Sequence, residues 1–446
     1  MAASSARKVQ THAEKYKPMK RSRGKKTAII FASIVINYLI IEYFIWRPLL
    51  PYVPVSLHSE LGRLKALAQS SKDSYIPEDY ILIIGDSYAE GLGDWLMQTI
   101  GDTKPKHHTA HVIHEQSGRD VLSFGFRGGY PGHSYSFETT RNFHGITQYA
   151  AIDLKHPKDV VVYFNELNDI NDELISAKIW LHPSKDLSLL ADRRKVREII
   201  FQRGADGQAS IEKRWHVLRN AHMFDTFTKL VKLIYRNVVR GLDPLHASLS
   251  GFVDTGEYKQ NWSRYETSNL RINWKSGTLK YPENSVETFA FHSADDIRNG
   301  MYVFRGALEY LRSYFPNANL WVAYIPTPVG VYTLQNKSIS LRDRIRYPLR
   351  EETGPPTPFT AEHLAAQSQR ICDAVAQTTL AVGARFIDTR TLLRARAHQI
   401  GYLHGPNDPG HLNKAGYTAL AESIMAGITS GGSMMCDNLE PQMSKG

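Results

Sequence analysis

A serine hydroxyl becomes a useful nucleophile only when a neighbouring base takes its proton, and a histidine serves as that base only when a third group orients its ring. Two segments of this chain hold those residue types. Gly85-Asp86-Ser87-Tyr88-Ala89-Glu90-Gly91 directly follows a run of apolar residues that ends at Ile84. In Asp408-Pro409-Gly410-His411-Leu412-Asn413, followed by Gly416-Tyr417, Asp408 lies three residues before His411, so both side chains of one loop can face the same serine. The chemistry of such a set is acyl transfer through an acyl-serine. Each segment also has a plainer reading, the first as a turn that caps a helix and the second as a loop pair that arises by chance.

Acyl transfer also needs donors that converge on a developing oxyanion. Two further segments offer them. Ser123-Phe124-Gly125-Phe126-Arg127-Gly128-Gly129 contains glycines that let a backbone N–H approach a substrate closely, and Asn165-Glu166-Leu167-Asn168-Asp169 carries the Asn168 side-chain amide. Both segments read equally as ordinary turn chemistry.

The elements that must position these residues follow from patterning. Tyr80 to Ile84, Val160 to Phe164, Leu320 to Ile325, Arg385 to Ile387 and the shorter Val121 to Phe124 are apolar runs without alternation, as expected of strands covered on both faces of a parallel sheet. Helical patterns fall between them at Ala89 to Ile100, Asp295 to Tyr314, Ala361 to Thr379 and Lys414 to Ile428, and Ser293 with Asp296 has the spacing of a capping box. Strand and helix in alternation predict an α/β fold, a three-layer sandwich with a mostly parallel sheet. Residues 171 to 290 break the alternation and read as an insertion or cap, helical over Ser210 to Val239 and bearing Trp262, Tyr265 and Trp274, which can stack on sugars or build a core of their own.

Four segments in this order, each after a predicted strand, resemble the blocks of the SGNH/GDSL hydrolases, whose sheet is flavodoxin-like: GDS, a later Gly, an Asn in a G-x-N-D context, and D-x-x-H. The resemblance covers about Tyr80 to Ile428 without the insertion. It implies Ser87 as nucleophile, His411 as base, Asp408 as its orienter, and an oxyanion hole made by the backbone N–H of Ser87 with Gly128 and Asn168. No metal or other cofactor is implied. The sequence departs from the pattern at Glu166, where the third block usually has Gly, and at Ser123, where the second often has Asn. Asp388, at the end of the Arg385 to Ile387 run, is a rival partner for His411, since family members often have an acid there. The resemblance implies hydrolysis of acyl esters, including O-acetyl esters, on a small molecule or polysaccharide. Transfer of the acyl group to a cell-surface polysaccharide is the alternative, and a catalytically silent polysaccharide-binding or scaffold domain is a third reading.

Charge and hydropathy bound the setting. Residues 1 to 26 hold nine basic residues and one acid, which puts about +8 of the net +10 there and leaves the remaining chain nearly balanced. A nucleic-acid-binding body would carry its own basic face, so that class is excluded. Thr27 to Trp46 is a 20-residue apolar run that, as one helix, would span about 30 Å, the thickness of a hydrocarbon core. Arg47, Pro48 and Leu49 stand where a cleavage site would need small residues, which favours an uncleaved transmembrane helix over a signal peptide. The positive-inside rule then puts residues 1 to 26 in the cytoplasm and the catalytic domain, residues 78 to 430, in the periplasm or otherwise outside the inner membrane, on a 47 to 77 stalk.

Residues 431 to 446 lack periodicity and read as a disordered tail. The two cysteines, Cys372 and Cys436, allow one bridge at most. His107, His108, His111 and His114 form the densest histidine cluster, but their spacing matches no metal motif and they read as part of a loop.

Overall fold

The computed structural model describes residues 21–46, 78–93, 108–125, 137–149, 154–180, 187–218, 270–274, 277–281, 286–342, 355–405, 408–433 and 435–437. Gly128, His107, Trp262, Tyr265, the 47–77 stalk and residues 438–446 lie outside them. Contacts divide the chain into two units, Met1–Pro48 and Leu49–Gly446.

In the first unit an α-helix runs over Arg21–Ile40, and the chain continues through a π-helical turn, Ile41–Trp46. The helix begins on Arg21, Arg23, Lys25 and Lys26, so its apolar part, from Thr27 to Ile40, rises only about 21 Å at 1.5 Å per residue. No helix among the described residues is long and apolar enough to cross a membrane. The expected Thr27 to Trp46 span is thus divided between two helical forms. Its apolar side chains are exposed all round, with Ile30, Phe31 and Phe44 each more than 60% accessible.

The second unit is an α/β sandwich. Its strands are β1 (Ile81–Gly85), β2 (Val121–Gly125), β3 (Asp159–Asn165), β4 (Leu270–Trp274), β5 (Gly277–Tyr281), β6 (Asn319–Ile325), β7 (Ser338–Leu341), β8 (Thr357–Thr360) and β9 (Arg385–Asp388). Five of them form one sheet in the order β2-β1-β3-β6-β9, and every pairing in it is parallel. The runs without alternation behave as expected, since every residue of β1 and of β3 is buried. Asp169–Trp180, Arg193–Leu218 and Ala361–Ala381 pack on Ala294–Tyr314, with Ala361–Ala381 against β6 and β9, while Thr109–Ser117 and Arg390–Ile400 pack on Lys414–Ser430, with Thr109–Ser117 against β2 and Lys414–Ser430 against β9. Ser293 and Asp296 close the capping box at the start of Ala294–Tyr314. Pairs β4–β5 and β7–β8 are separate antiparallel hairpins.

Strand order decides where a site can form. From β1 the chain passes to β2 on one side and then to β3 on the other, so the connections leaving β1 and β3 diverge and open a crevice at the carboxyl ends of the strands. Ser87 follows β1 and Asn168 follows β3, one on each side of that switch point.

Two boundaries differ from the sequence reading. Asp169–Trp180 and Arg193–Leu218, most of which fall within the segment read as an insertion, contribute Leu174, Val196 and Ile200 to the core, so they belong to the sandwich. Part of the tail is joined to the domain: Ser433 bridges Phe386 at the sheet edge, and Cys436 is disulfide-bonded to Cys372 on the Ala361–Ala381 helix. A stretch with no periodicity looks disordered because its anchors are single contacts and leave no pattern in the sequence.

Candidate active site

β1 stops at Gly85, and Asp86 caps the short helix Ser87–Glu90, its Oδ1 accepting the Tyr88 N–H at 2.9 Å. Gly91, at φ 80°, ends the helix in the left-handed region that glycine tolerates without strain. The turn is held tightly against β2. Ser123 Oγ donates to the Ala89 carbonyl at 2.5 Å, and a Cβ on Gly125 would sit 2.0 Å from the Glu90 nitrogen. Ser123, the departure in the second block, therefore fastens the Ser87 turn to the neighbouring strand.

His411 reaches that turn from the far end of the chain. Its Nε2 lies 2.8 Å from Ser87 Oγ, and its Nδ1 lies 2.7 Å from Asp408 Oδ2. A carboxylate only accepts, so Nδ1 carries the proton and the Nε2 lone pair faces the serine hydroxyl. Burial opposes charge on both groups. The shared hydrogen bond and the charge attraction between them together outweigh it, holding the His411 pKa above the usual imidazole value and that of Asp408 below the usual carboxylate value. Asp408 is thus ionised and able to steady an imidazolium.

Tyrosine hydroxyls fix the loop that carries this pair. Tyr88 Oη donates to the Gly410 carbonyl at 2.6 Å and Tyr281 Oη to the Pro409 carbonyl at 2.7 Å. Asn413 caps the following helix through the Gly416 N–H and donates to the Tyr402 carbonyl. Behind the loop, His404 sits 2.8 Å from Tyr332 Oη and is pushed down to about 3 by burial and by His411, so it stays neutral. None of these hydroxyl contacts has a motif. Tyr281 is the less expected of the two tyrosines, since it comes from the β4–β5 hairpin within the segment read as a cap.

Compared with known proteins, the chain matches no family model, no curated protein and no solved structure.

Asn168 stands beside the same turn. Its Nδ2 donates to Asp172 Oδ2 at 2.7 Å and to Asp86 Oδ2 at 3.3 Å. Burial raises both carboxyls, and that of Asp172 is pushed up to about 7. Asn168 thus meets the Ser87 turn through Asp86, while Gly128 lies outside the described residues. Glu166, the departure in the third block, is buried and accepts from the Thr327 N–H at 2.7 Å and its hydroxyl at 3.1 Å, which joins the end of β3 to the end of β6. Asp169 holds the Asn165 N–H, so the Asn165 to Asp169 turn is locked from both ends.

Asp388 is not the partner of His411. Its carboxylate makes a bidentate pair with the fully buried Arg390, at 2.9 Å to Nε and 2.7 Å to Nη2, and accepts the Asp437 N–H at 3.0 Å. The histidine cluster is structural where it is described. His108 caps Thr109–Ser117 through the Ala110 N–H and, pushed down to about 3 by burial, stays neutral, while His114 donates to the Arg119 carbonyl. One group of three metal-ligand side chains lies together among the described residues, Cys372, Asp388 and Cys436, but its sulfurs are bonded to each other and its carboxylate to Arg390.

Proposed function

We propose that this protein is a serine esterase of the SGNH/GDSL kind, hydrolysing acyl esters through an acyl-serine on Ser87. The observation that carries the reading is the relay from Ser87 Oγ through His411 to Asp408, with bonds of 2.8 and 2.7 Å. Ser87 Oγ attacks the ester carbonyl while Nε2 of His411 takes its proton. The tetrahedral oxyanion is met by the Ser87 N–H and the Asn168 amide, with Gly128 as the third donor that the family resemblance implies. His411 returns the proton to the departing alkoxide, which leaves as alcohol. A water then gives its proton to His411 and its oxygen to the acyl carbon, releasing the acid and restoring Ser87. A domain that only bound polysaccharide would need no such relay.

The same reading puts the domain outside the cytoplasm and attaches it to a membrane by its N-terminus. Disulfides persist in oxidising compartments, and Cys372 is bonded to Cys436. The exposed apolar helix behind a strongly basic segment supports the attachment. A polysaccharide hydroxyl in place of water would turn the same acyl-serine into an acyltransferase intermediate.

The full-length protein is expected to release p-nitrophenol from p-nitrophenyl acetate and to take up one fluorophosphonate on the peptide containing Ser87. Absence of both turnover and adduct would sink the reading. Adding an oligosaccharide and weighing the products separates transfer to a hydroxyl from transfer to water. The pH profile is also set by the geometry. Only neutral His411 can accept the serine proton, and its pKa is raised. The acid limb of kcat/KM should therefore have its midpoint above the ordinary imidazole value of about 6.5, and a midpoint below that value would contradict the Asp408–His411 coupling.

A further inference from the structure

Asn168 has one side-chain nitrogen with two hydrogens, and two carboxylates compete for them. The bond to Asp172, at 2.7 Å, is short; the one to Asp86, at 3.3 Å, is long. The Asp172 backbone N–H also donates to the Asn168 carbonyl at 2.9 Å, in the first turn of the Asp169–Trp180 helix, so side chain and main chain tie the two residues one helical turn apart. Asp86 directly precedes Ser87, and its Oδ1 is already committed to the Tyr88 N–H. The weakly held hydrogen of Asn168 therefore points toward the nucleophile turn, where an oxyanion on the attacked carbonyl can displace the long bond.

We propose that Asp172 is a positioning residue for the oxyanion hole: its carboxylate fixes the Asn168 amide with nitrogen, not oxygen, toward the reacting centre. The physical reason is one of sign. An amide turned by 180° presents its carbonyl, which would repel an oxyanion. Once ionised, above about pH 7, the Asp172 carboxyl only accepts and excludes that orientation, because the Asn168 oxygen would then face the Asp172 oxygens. An asparagine in place of Asp172 both donates and accepts, so it holds either orientation.

The inference rests on the esterase reading of Ser87, and the experiment keeps the two apart. Wild type, Ser87→Ala, Asn168→Ala, Asp172→Asn and the double variant Asn168→Ala/Asp172→Asn are assayed as full-length protein on p-nitrophenyl acetate, with thermal melting beside each. Asp172→Asn is expected to lower kcat by about 10- to 100-fold with KM little changed, since the lost contact acts only in the transition state. The double variant is expected to match Asn168→Ala alone, because a residue that acts through Asn168 has nothing left to position. If Asp172→Asn does not fold, Asp172→Ser takes its place in the same cycle. Losses that add in the double variant, or a single-variant kcat within about twofold of wild type, overturn the proposal and leave the esterase reading standing. Wild-type protein without Ser87-dependent turnover overturns both.

Discussion

Ser87→Ala should melt as wild type does and turn over p-nitrophenyl acetate about 10⁴- to 10⁶-fold more slowly. The reason lies in what the hydroxyl touches. Ser87 Oγ is bonded to Nε2 of a half-buried His411, so water can take its place and the fold loses little. The strand before it and the clasp around it do not depend on the hydroxyl: β1 is buried throughout, the cap is made by Asp86, and the fastening to β2 is made by Ser123. What vanishes is the atom on which the proposed acyl-enzyme forms. Residual turnover reports the oxyanion donors and binding alone. Parallel kcat and melting measurements decide the matter, and an active Ser87→Ala protein would remove Ser87 from the chemistry.

A second pair of variants should give crossed results. Asp408→Asn is expected to lower kcat/KM by about 10⁴-fold with a small change in stability, because an amide facing Nδ1 can donate to it and so leave the proton on Nε2, the wrong nitrogen for a base. Asp388→Asn is expected to do the reverse. It leaves the Arg390 guanidinium, fully buried, without its carboxylate, and breaking such a pair costs about 3–5 kcal/mol. Turnover per folded molecule should be unchanged, since Asp388 pairs with Arg390 and Asp437 and not with His411. Kinetics and thermal melting on both variants test this, and loss of chemistry in Asp388→Asn would reopen the assignment of the acid.

How much of this was legible in the sequence depends on the range over which each feature acts. The central strands were plain because burial on both faces writes a continuous apolar run: the Tyr80 to Ile84 and Leu320 to Ile325 runs fall on β1 and β6 within one residue. The Ser293 capping box was equally local. The order β2-β1-β3-β6-β9 was not readable, because pairing between strands leaves no mark within either. In the site, Ser87, Asp408 and His411 stand in motifs, and the structure brings them within hydrogen-bonding range. Tyr281, which holds the Pro409 carbonyl from 128 positions away, has only its own type to show. Asp172 had a signal that went unused: it lies four residues after Asn168 at the start of a helix, the spacing at which side chains meet. The Cys372–Cys436 bond was open as one pairing of two, but nothing short of the folded tail could decide it.

Ser87 and His411 are 324 positions apart in the chain. During synthesis Ser87 is made early and His411 almost last, after every strand of the central sheet. Closing so long a loop is slow and depends on the intervening pairings. Until then Ser87 is an alcohol like any other, without the base that the proposed mechanism requires. On the proposed reading the acyl-serine chemistry waits on completion of the fold, and a chain lacking residues 408 to 411 is expected to be inert toward esters.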